Sequence, residues 1–541
     1  MKNPMIRPGA ITIEQRPLHV LNRLAFGPAP GDLATVQRLG PEHWIEQQLN
    51  RGAHPQPEEL TRQLAELETL RLTPVELFMQ YGPPQGARRG QIKNDRAGGS
   101  EQGAGESASR GQNQDPEAKK TARRAARIVV QQAMRARLYR AVAAPNQLQE
   151  VMTTFWFNHF NVFAGKGLDY LWIGAYEEQA IRPHALGRFR DLLGATAKHP
   201  AMLFYLDNWQ NTAPDSPGSR GRFEGINENY ARELMELHTL GVNGGYGQQD
   251  VIALAHILTG WGIVRREKPA GLGFWRPRWR FGSGEVRTRD GFFFDPSRHD
   301  FTAKRLLGET IPGNGIDEGE RALDLLERHP ATARHLSYQL AQYFVADNPP
   351  PALVERMAAR YRASDGAIRD VLETLFASPE FWDQRFYAIK FKTPYEFVVS
   401  AARATGVPVR NPRPLINTMA GLGMPLYGCQ TPDGYKNTQD AWLNPEAMMV
   451  RLSFATALGA GRLPLVRPVA DFDDDDNGGG AMRPVAKPAD DPAARPAPPD
   501  PAVLAMTLGD LFSSRTAAAV EAAPDKLRAP LILGSPEFMM R

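Results

Sequence analysis

The sequence predicts a mainly α-helical protein: a multi-helix globular fold carrying one small β-hairpin insertion. Three observations predict it. Apolar residues recur at helical spacing over long stretches, as in Leu148, Val151, Met152, Phe155, Trp156 and His159, which share one stripe. Strand signal is scarce. The nine Trp and 25 Phe of the 541 residues supply more than enough large apolar surface for a core.

Taken in order, the first low-complexity stretch is 82–119, rich in Gly, Arg, Gln and Ser. It cannot bury enough apolar area to offset ordering entropy and reads as a mobile insertion. The stripe ending at His159 follows. Next comes a helix within Asn227–Gly241, with Asn227 as N-cap and Gly241 just past its end. Phe274 to Phe294 reads as the hairpin, with Gly282-Ser283-Gly284 as its turn. Leu323, Leu325 and Leu326 open a helix that His329-Pro330 should end, and Ala333–Phe344 and Leu353–Tyr361 continue the pattern. Leu375–Phe381 is echoed by Leu533–Phe538. In both, Ser-Pro-Glu suits a helix start, with Ser at the N-cap and Pro at the first position. Residues 471–501 combine an acidic run, three glycines and Pro/Ala repeats. The resulting division is a main helical domain over 1–465, a disordered linker over 466–501, and a C-terminal helical segment over 502–541 that packs back on the main domain.

Composition excludes several classes. A net charge of +4 is small for this length, and the densest basic run, Lys119 to Arg124, reads as a solvated helix face rather than a nucleic-acid site. Cys429 is the only cysteine, so neither a disulfide framework nor a cysteine zinc site can form within the chain. No apolar run reaches the roughly 18 residues of a transmembrane helix. Met1 to Gln15 lacks the apolar centre of a signal peptide, so the expected location is cytoplasmic. Dinucleotide, phosphate-loop and nucleophile-elbow motifs are absent in the required contexts.

The Asn227–Gly241 helix carries the most unusual chemistry. Tyr230, Leu234 and Leu237 form its buried stripe. Asn229, Glu233 and Glu236 lie on one shoulder and His238 on the other. Glu233 and Glu236 can converge on one point, as paired carboxylates must to hold a hard cation or share a proton. The plain alternative is packing: Arg232 with Glu228 or Glu236 makes an ordinary helical ion pair. His159 lies on an apolar stripe, either a buried neutral histidine bonded to backbone or a metal or haem ligand. His299-Asp300 sits in a loop, where Asp300 can orient a ring or cap a helix starting near Thr302. His256 reads as core. Tyr427 to Tyr435 reads as a turn-rich loop suited to a pocket rim.

Several segments together resemble the bacterial domain-of-unknown-function 1800 family. They are Leu21-Asn22-Arg23-Leu24-Ala25-Phe26-Gly27-Pro28, Phe155 to Phe160, the Asn227–Gly241 helix, Leu258-Thr259-Gly260-Trp261, His299-Asp300, His329 to Ala333, Trp442-Leu443-Asn444-Pro445 and Ser535-Pro536-Glu537-Phe538. The resemblance spans nearly the whole chain and implies no established reaction. It implies a sulfatase-like partner of the domain-of-unknown-function 1501 family, with export by piggy-back on that partner.

Two functions follow as expectations. The first is a metal-dependent enzyme. A divalent cation would be held by His159, Glu233, His238 and His299, with Arg232, Glu233 and Glu236 as the catalytic groups and Arg232 clamping an anion. The second is a non-enzymatic helical binding or assembly protein that works with the sulfatase-like partner.

Overall fold

A computed structural model describes residues 9–50, 55–83, 116–221, 223–264, 286–467 and 497–541. Helices dominate, and one apolar core runs from Val20 to Met539 without a break. The expected stripe forms helix Gln147–His159. Leu148, Met152 and Trp156 on it are wholly buried, and the Trp156 indole nitrogen donates to the Ala185 carbonyl at 2.9 Å. The low-complexity stretches fall mostly outside the described residues, although helix Pro116–Ala143 begins within the first.

Helix ends follow local chemistry. Arg328 closes helix Ile316–Arg328, and His329 starts helix Pro330–Phe344, its ring accepting from Ala331 N at 3.2 Å with Pro at the first position. Thr393 and Glu396 form a reciprocal capping box at the start of Pro394–Thr405. The two Ser-Pro-Glu segments behave differently from expectation. Ser378 donates to Leu375 O at 2.6 Å and accepts from Phe381 N at 3.2 Å. Ser535 donates to Ile532 O at 2.9 Å and accepts from Phe538 N at 3.2 Å. Each serine therefore turns the chain off the end of a helix and drives a phenylalanine into the core. A short 3₁₀ turn, Glu537–Met539, follows the second directly, and another, Gln384–Phe386, lies a few residues beyond the first.

The strand Phe292–Phe294 expected in the hairpin is present. It pairs antiparallel with Val286–Arg287 on one side and Trp261–Ile263 on the other. The proposed Gly282–Gly284 turn lies outside the described residues. A second hairpin, Lys304–Leu306 with Glu309–Ile311, turns at Leu307-Gly308 with φ of +49° and +84°. Positive φ at both positions matches the twist of tight hairpins. Leu307 is an unusual residue there, and its N–H is held by Asp250 Oδ1 at 2.7 Å. Asp300 caps no helix; it accepts from Thr302 N at 2.8 Å ahead of this hairpin.

Helices Pro501–Leu508 and Asp525–Leu533 pack together, and the second lies along Pro445–Gly459. Met540 bridges Phe391 as an isolated antiparallel pair. No helix among the described residues is long and apolar enough to cross a membrane.

Candidate functional site

A cavity of about 330 Å³ opens where helices Gln147–His159 and Pro330–Phe344 meet the start of Pro394–Thr405 and the turn after Asn229–Glu236. The segment 424–438 covers it, and Asn158, Asn161, Tyr205 and Lys390 all hydrogen-bond to its backbone. Asn158 donates to Tyr435 O and accepts from Tyr435 N, both at 2.8 Å. The Tyr427–Tyr435 loop, expected at a pocket rim, contributes Asp433 and Tyr435 to the wall. The polar lining mixes the amides Asn158, Gln339, Gln342 and Asn437 with Glu236, Glu396, Asp433 and Lys436, set against Phe155, Tyr343 and Tyr395.

Two histidines, His159 and His335, join this lining. His159 ends its helix and donates Nε2–H to His238 O at 3.1 Å. His335 donates Nε2–H to Leu237 O at 3.3 Å. A carbonyl can only accept, so both rings carry the proton on Nε2 and keep a lone pair on Nδ1. The His159 ring centroid lies 6.0 Å from that of His238 and 6.4 Å from that of His335. Burial, then the neighbouring His335, pushes His159 down to about 3. Burial also lowers His335 below its ordinary value. His238 is 1% exposed with no partner on Nε2, and burial followed by the other two rings holds it well below its usual range. All three are neutral near pH 7.

Gly241 makes this arrangement possible. It sits at φ +80°, and a Cβ there would lie 2.8 Å from His335 Nδ1. The helix before it spans Asn229–Glu236, shorter than the motif. Asn227 Oδ1 accepts from Asn229 N at 2.9 Å just ahead of its first turn.

The expected site residues divide among separate surroundings. His159 and Glu236 line the cavity, and His238 lies against His159. Glu233 is half-buried rather than enclosed. Burial, then Glu236, raises its carboxyl above the ordinary value. Arg232 turns to Glu228 at 3.1 Å and Gln248 at 3.0 Å. His299 belongs to another network: its Nε2 meets Glu318 Oε1 at 2.9 Å, its Nδ1 meets Thr259 O at 2.8 Å, and Lys304 Nζ completes the set at 2.6 Å from Glu318 Oε2. His256, read as core, is half-exposed and pairs through Nδ1 with Asp300 Oδ2 at 2.7 Å. Among the described residues, no three His, Cys, Asp or Glu side chains are grouped to hold a metal ion.

Sequence reasoning missed His335, Gln339 and Glu396. The first two sit on a helix read only for its apolar stripe. Glu396 follows Thr393-Pro394 and carries an N-terminal capping signature, which says nothing about a cavity.

A family model described as Protein of unknown function (DUF1800) matches residues 19–540. No curated protein and no solved structure matches the chain.

Proposed function

We propose, for a chain that belongs to the DUF1800 family, that the cavity beneath residues 424–438 is the functional site and takes a small polar molecule. The observation that carries this is the joining of two neutral histidines, His159 and His335, with the carboxyl groups of Glu236, Glu396 and Asp433, Lys436 and four side-chain amides around one cavity. Sites for small ligands combine apolar and aromatic walls with a few convergent polar groups. Both histidines keep a lone pair on Nδ1, that of His335 facing Gly241. His159 is too desolvated to take a proton readily and suits hydrogen bonding. His335 is the better base, with Glu236 as the second proton-handling group.

A divalent cation held by His159, Glu233, His238 and His299 would require side chains from separate hydrogen-bond networks to converge. The reading therefore assigns no step to a metal. The test is a thermal-shift screen of polar metabolites on the full chain and on Val242→Trp. Val242 is exposed and lines the cavity, so a large ring there blocks space without disturbing the core. The expected result is one or more compounds that stabilise the native chain and not the variant. Compounds that stabilise both equally would move the site elsewhere.

The docking reading, beside a sulfatase-like partner, has one observation in its favour. Met449, Leu452, Met506, Leu527 and Leu531 are exposed on three helices packed together. Exposed apolar residues gathered in one region suit a protein interface. Co-purification of such a partner with the native chain, and its loss with Met449→Glu and Met506→Glu together, is the expected outcome of that alternative.

A further inference from the structure

Hydrogen bonding in the cavity wall is one-sided. Among the described residues, four buried side-chain atoms of its lining have no hydrogen-bond partner, and all four are oxygens: Gln339 Oε1, Tyr395 Oη, Glu396 Oε1 and Asn437 Oδ1. Tyr395 is 1% exposed and Glu396 5%. Donors of the same lining are already engaged inside the protein. Asn158 donates to Tyr435 O at 2.8 Å and Gln342 Nε2 to Asp347 O at 3.0 Å. The Tyr435 hydroxyl donates to Pro425 O at 3.0 Å and the Thr393 hydroxyl to Glu396 Oε2 at 3.1 Å. His159, beside Gln339, gives its N–H to His238 O. A buried acceptor without a donor bears the full penalty of leaving water, so an arriving donor is favoured there.

Charge leans the same way. The lining holds three carboxyl groups, Glu236, Glu396 and Asp433, against Lys436 alone. Lys436 is tied to Asp433 at 2.7 Å, and Glu396 Oε1 is answered from behind the wall by Arg541 at 3.0 Å. Glu236 is left without an ion pair among the described residues and accepts only from the neutral Tyr246 hydroxyl. Its field reaches the next carboxyl along the helix. Burial first, then Glu236, hold Glu233 above its ordinary value against Arg232, and Asp433 adds to the push. A cation brought to this face relieves the repulsion among three neighbouring carboxyl groups.

We propose that the molecule taken by this cavity is an organic cation that donates N–H groups, an ammonium or a guanidinium on a short alkyl chain. The inference rests on the reading of the cavity as a ligand site and adds the charge and hydrogen-bonding sense of the ligand. Glu236 meets the positive charge, and the oxygens of Gln339 and Asn437 accept N–H groups. Phe155, Val242 and Met424 supply apolar wall for the alkyl part. A neutral alcohol of the same length brings fewer donors and no charge. A quaternary ammonium brings the charge and no donor. An anion meets acceptors that it cannot satisfy.

The experiment measures calorimetric binding and unfolding temperature at neutral pH and fixed ionic strength. Putrescine and agmatine serve as the donor cations, butanediol as the uncharged counterpart and tetramethylammonium as the cation without N–H groups. It uses the full chain, Glu236→Gln, Gln339→Leu and Val242→Trp. The expected result is saturable stabilisation of the native chain by putrescine or agmatine, and none by the other two compounds. Binding should weaken about tenfold or more in Glu236→Gln, weaken in Gln339→Leu and vanish in Val242→Trp. Agmatine binding far more tightly than putrescine assigns a guanidinium; putrescine binding as tightly or better assigns an ammonium. No saturable effect of either donor cation, an equal effect of tetramethylammonium or butanediol, or unchanged binding in both Glu236→Gln and Gln339→Leu overturns the proposal. Equal binding to the native chain and Val242→Trp puts the cation outside the cavity and overturns it as well. If the metabolite screen yields an anionic or uncharged ligand that Val242→Trp excludes while neither donor cation binds, the cation assignment fails and the cavity reading stands.

Discussion

Replacing Gly241 by alanine strikes the histidine cluster at its tightest point. Two separate costs arise. At φ +80° an alanine occupies left-handed backbone, which costs about 1–2 kcal/mol. The new Cβ would lie 2.8 Å from His335 Nδ1, 3.2 Å from its Cγ and 3.4 Å from its Cε1. The ring is held against Leu237 O, so the helix or the turn must give way, an overpacking cost of about 1–3 kcal/mol. The total is about 2–5 kcal/mol. Urea unfolding of Gly241→Ala, His335→Ala and the double variant separates the two costs. In the His335→Ala background the ring is gone, and only the backbone cost of about 1–2 kcal/mol should remain. A cost below about 0.5 kcal/mol for Gly241→Ala, or an equal cost in both backgrounds, would refute the packing argument.

Three further outcomes are expected. His159, His199, His238 and His335 all have folded values depressed below 6.5, so the folded chain binds fewer protons than the unfolded chain once pH falls below that value. Stability should decline from about pH 6.5 downward toward pH 3, and His159→Gln should make the urea midpoint less sensitive to pH; an unchanged slope would show that His159 is not a buried neutral ring. Glu233 has a raised folded value, so its ionisation costs stability as pH rises from 4.5 through that value. Glu233→Gln should match the native chain near pH 4 and exceed it at pH 7, whereas a loss at pH 7 would reveal a cationic partner. Asn158→Ala removes both bonds to Tyr435 and should cost about 1–3 kcal/mol, with faster amide exchange confined to residues near 430–438; exchange unchanged there would mean that the loop is held by other contacts.

The helical class was legible because its signals are local. The stripe through Leu148, Met152 and Trp156 repeats at helical spacing, and His329-Pro330 breaks and restarts a helix within two residues. The Phe292–Phe294 strand also announced itself. Its partner Trp261–Ile263 did not, because pairing across a long connection leaves no periodic trace. The Leu307-Gly308 turn escaped for a related reason: leucine is not a turn residue, and its conformation is held by Asp250 from another helix. The Ser-Pro-Glu echo misled because the same serine hydroxyl can start a helix or finish one, depending on which backbone groups lie free.

The candidate site was only partly readable. His159 stood out as a polar residue on an apolar stripe, and the Glu233–His238 helix as a dense run of ionisable groups. Which of them would meet depended on chain crossings that spacing cannot reveal. His299 lies in a network with Glu318 and Lys304, whereas His335, unremarked in sequence, stands beside His159. The oxygens left without hydrogen bonds were invisible for the same reason. Gln339, Glu396 and Asn437 come from separate segments, and each alone looks like an ordinary surface group.

The most direct test of the central claim is the crystal structure of the full chain bound to the metabolite that stabilises it most strongly. Density is expected between helices Gln147–His159 and Pro330–Phe344, in contact with Gln339, Asn437 and His335. A second, more open groove lies between Gln249, Ala253, Lys304 and Arg305. A ligand seated there, with the cavity beneath residues 424–438 filled only by water, would contradict the account.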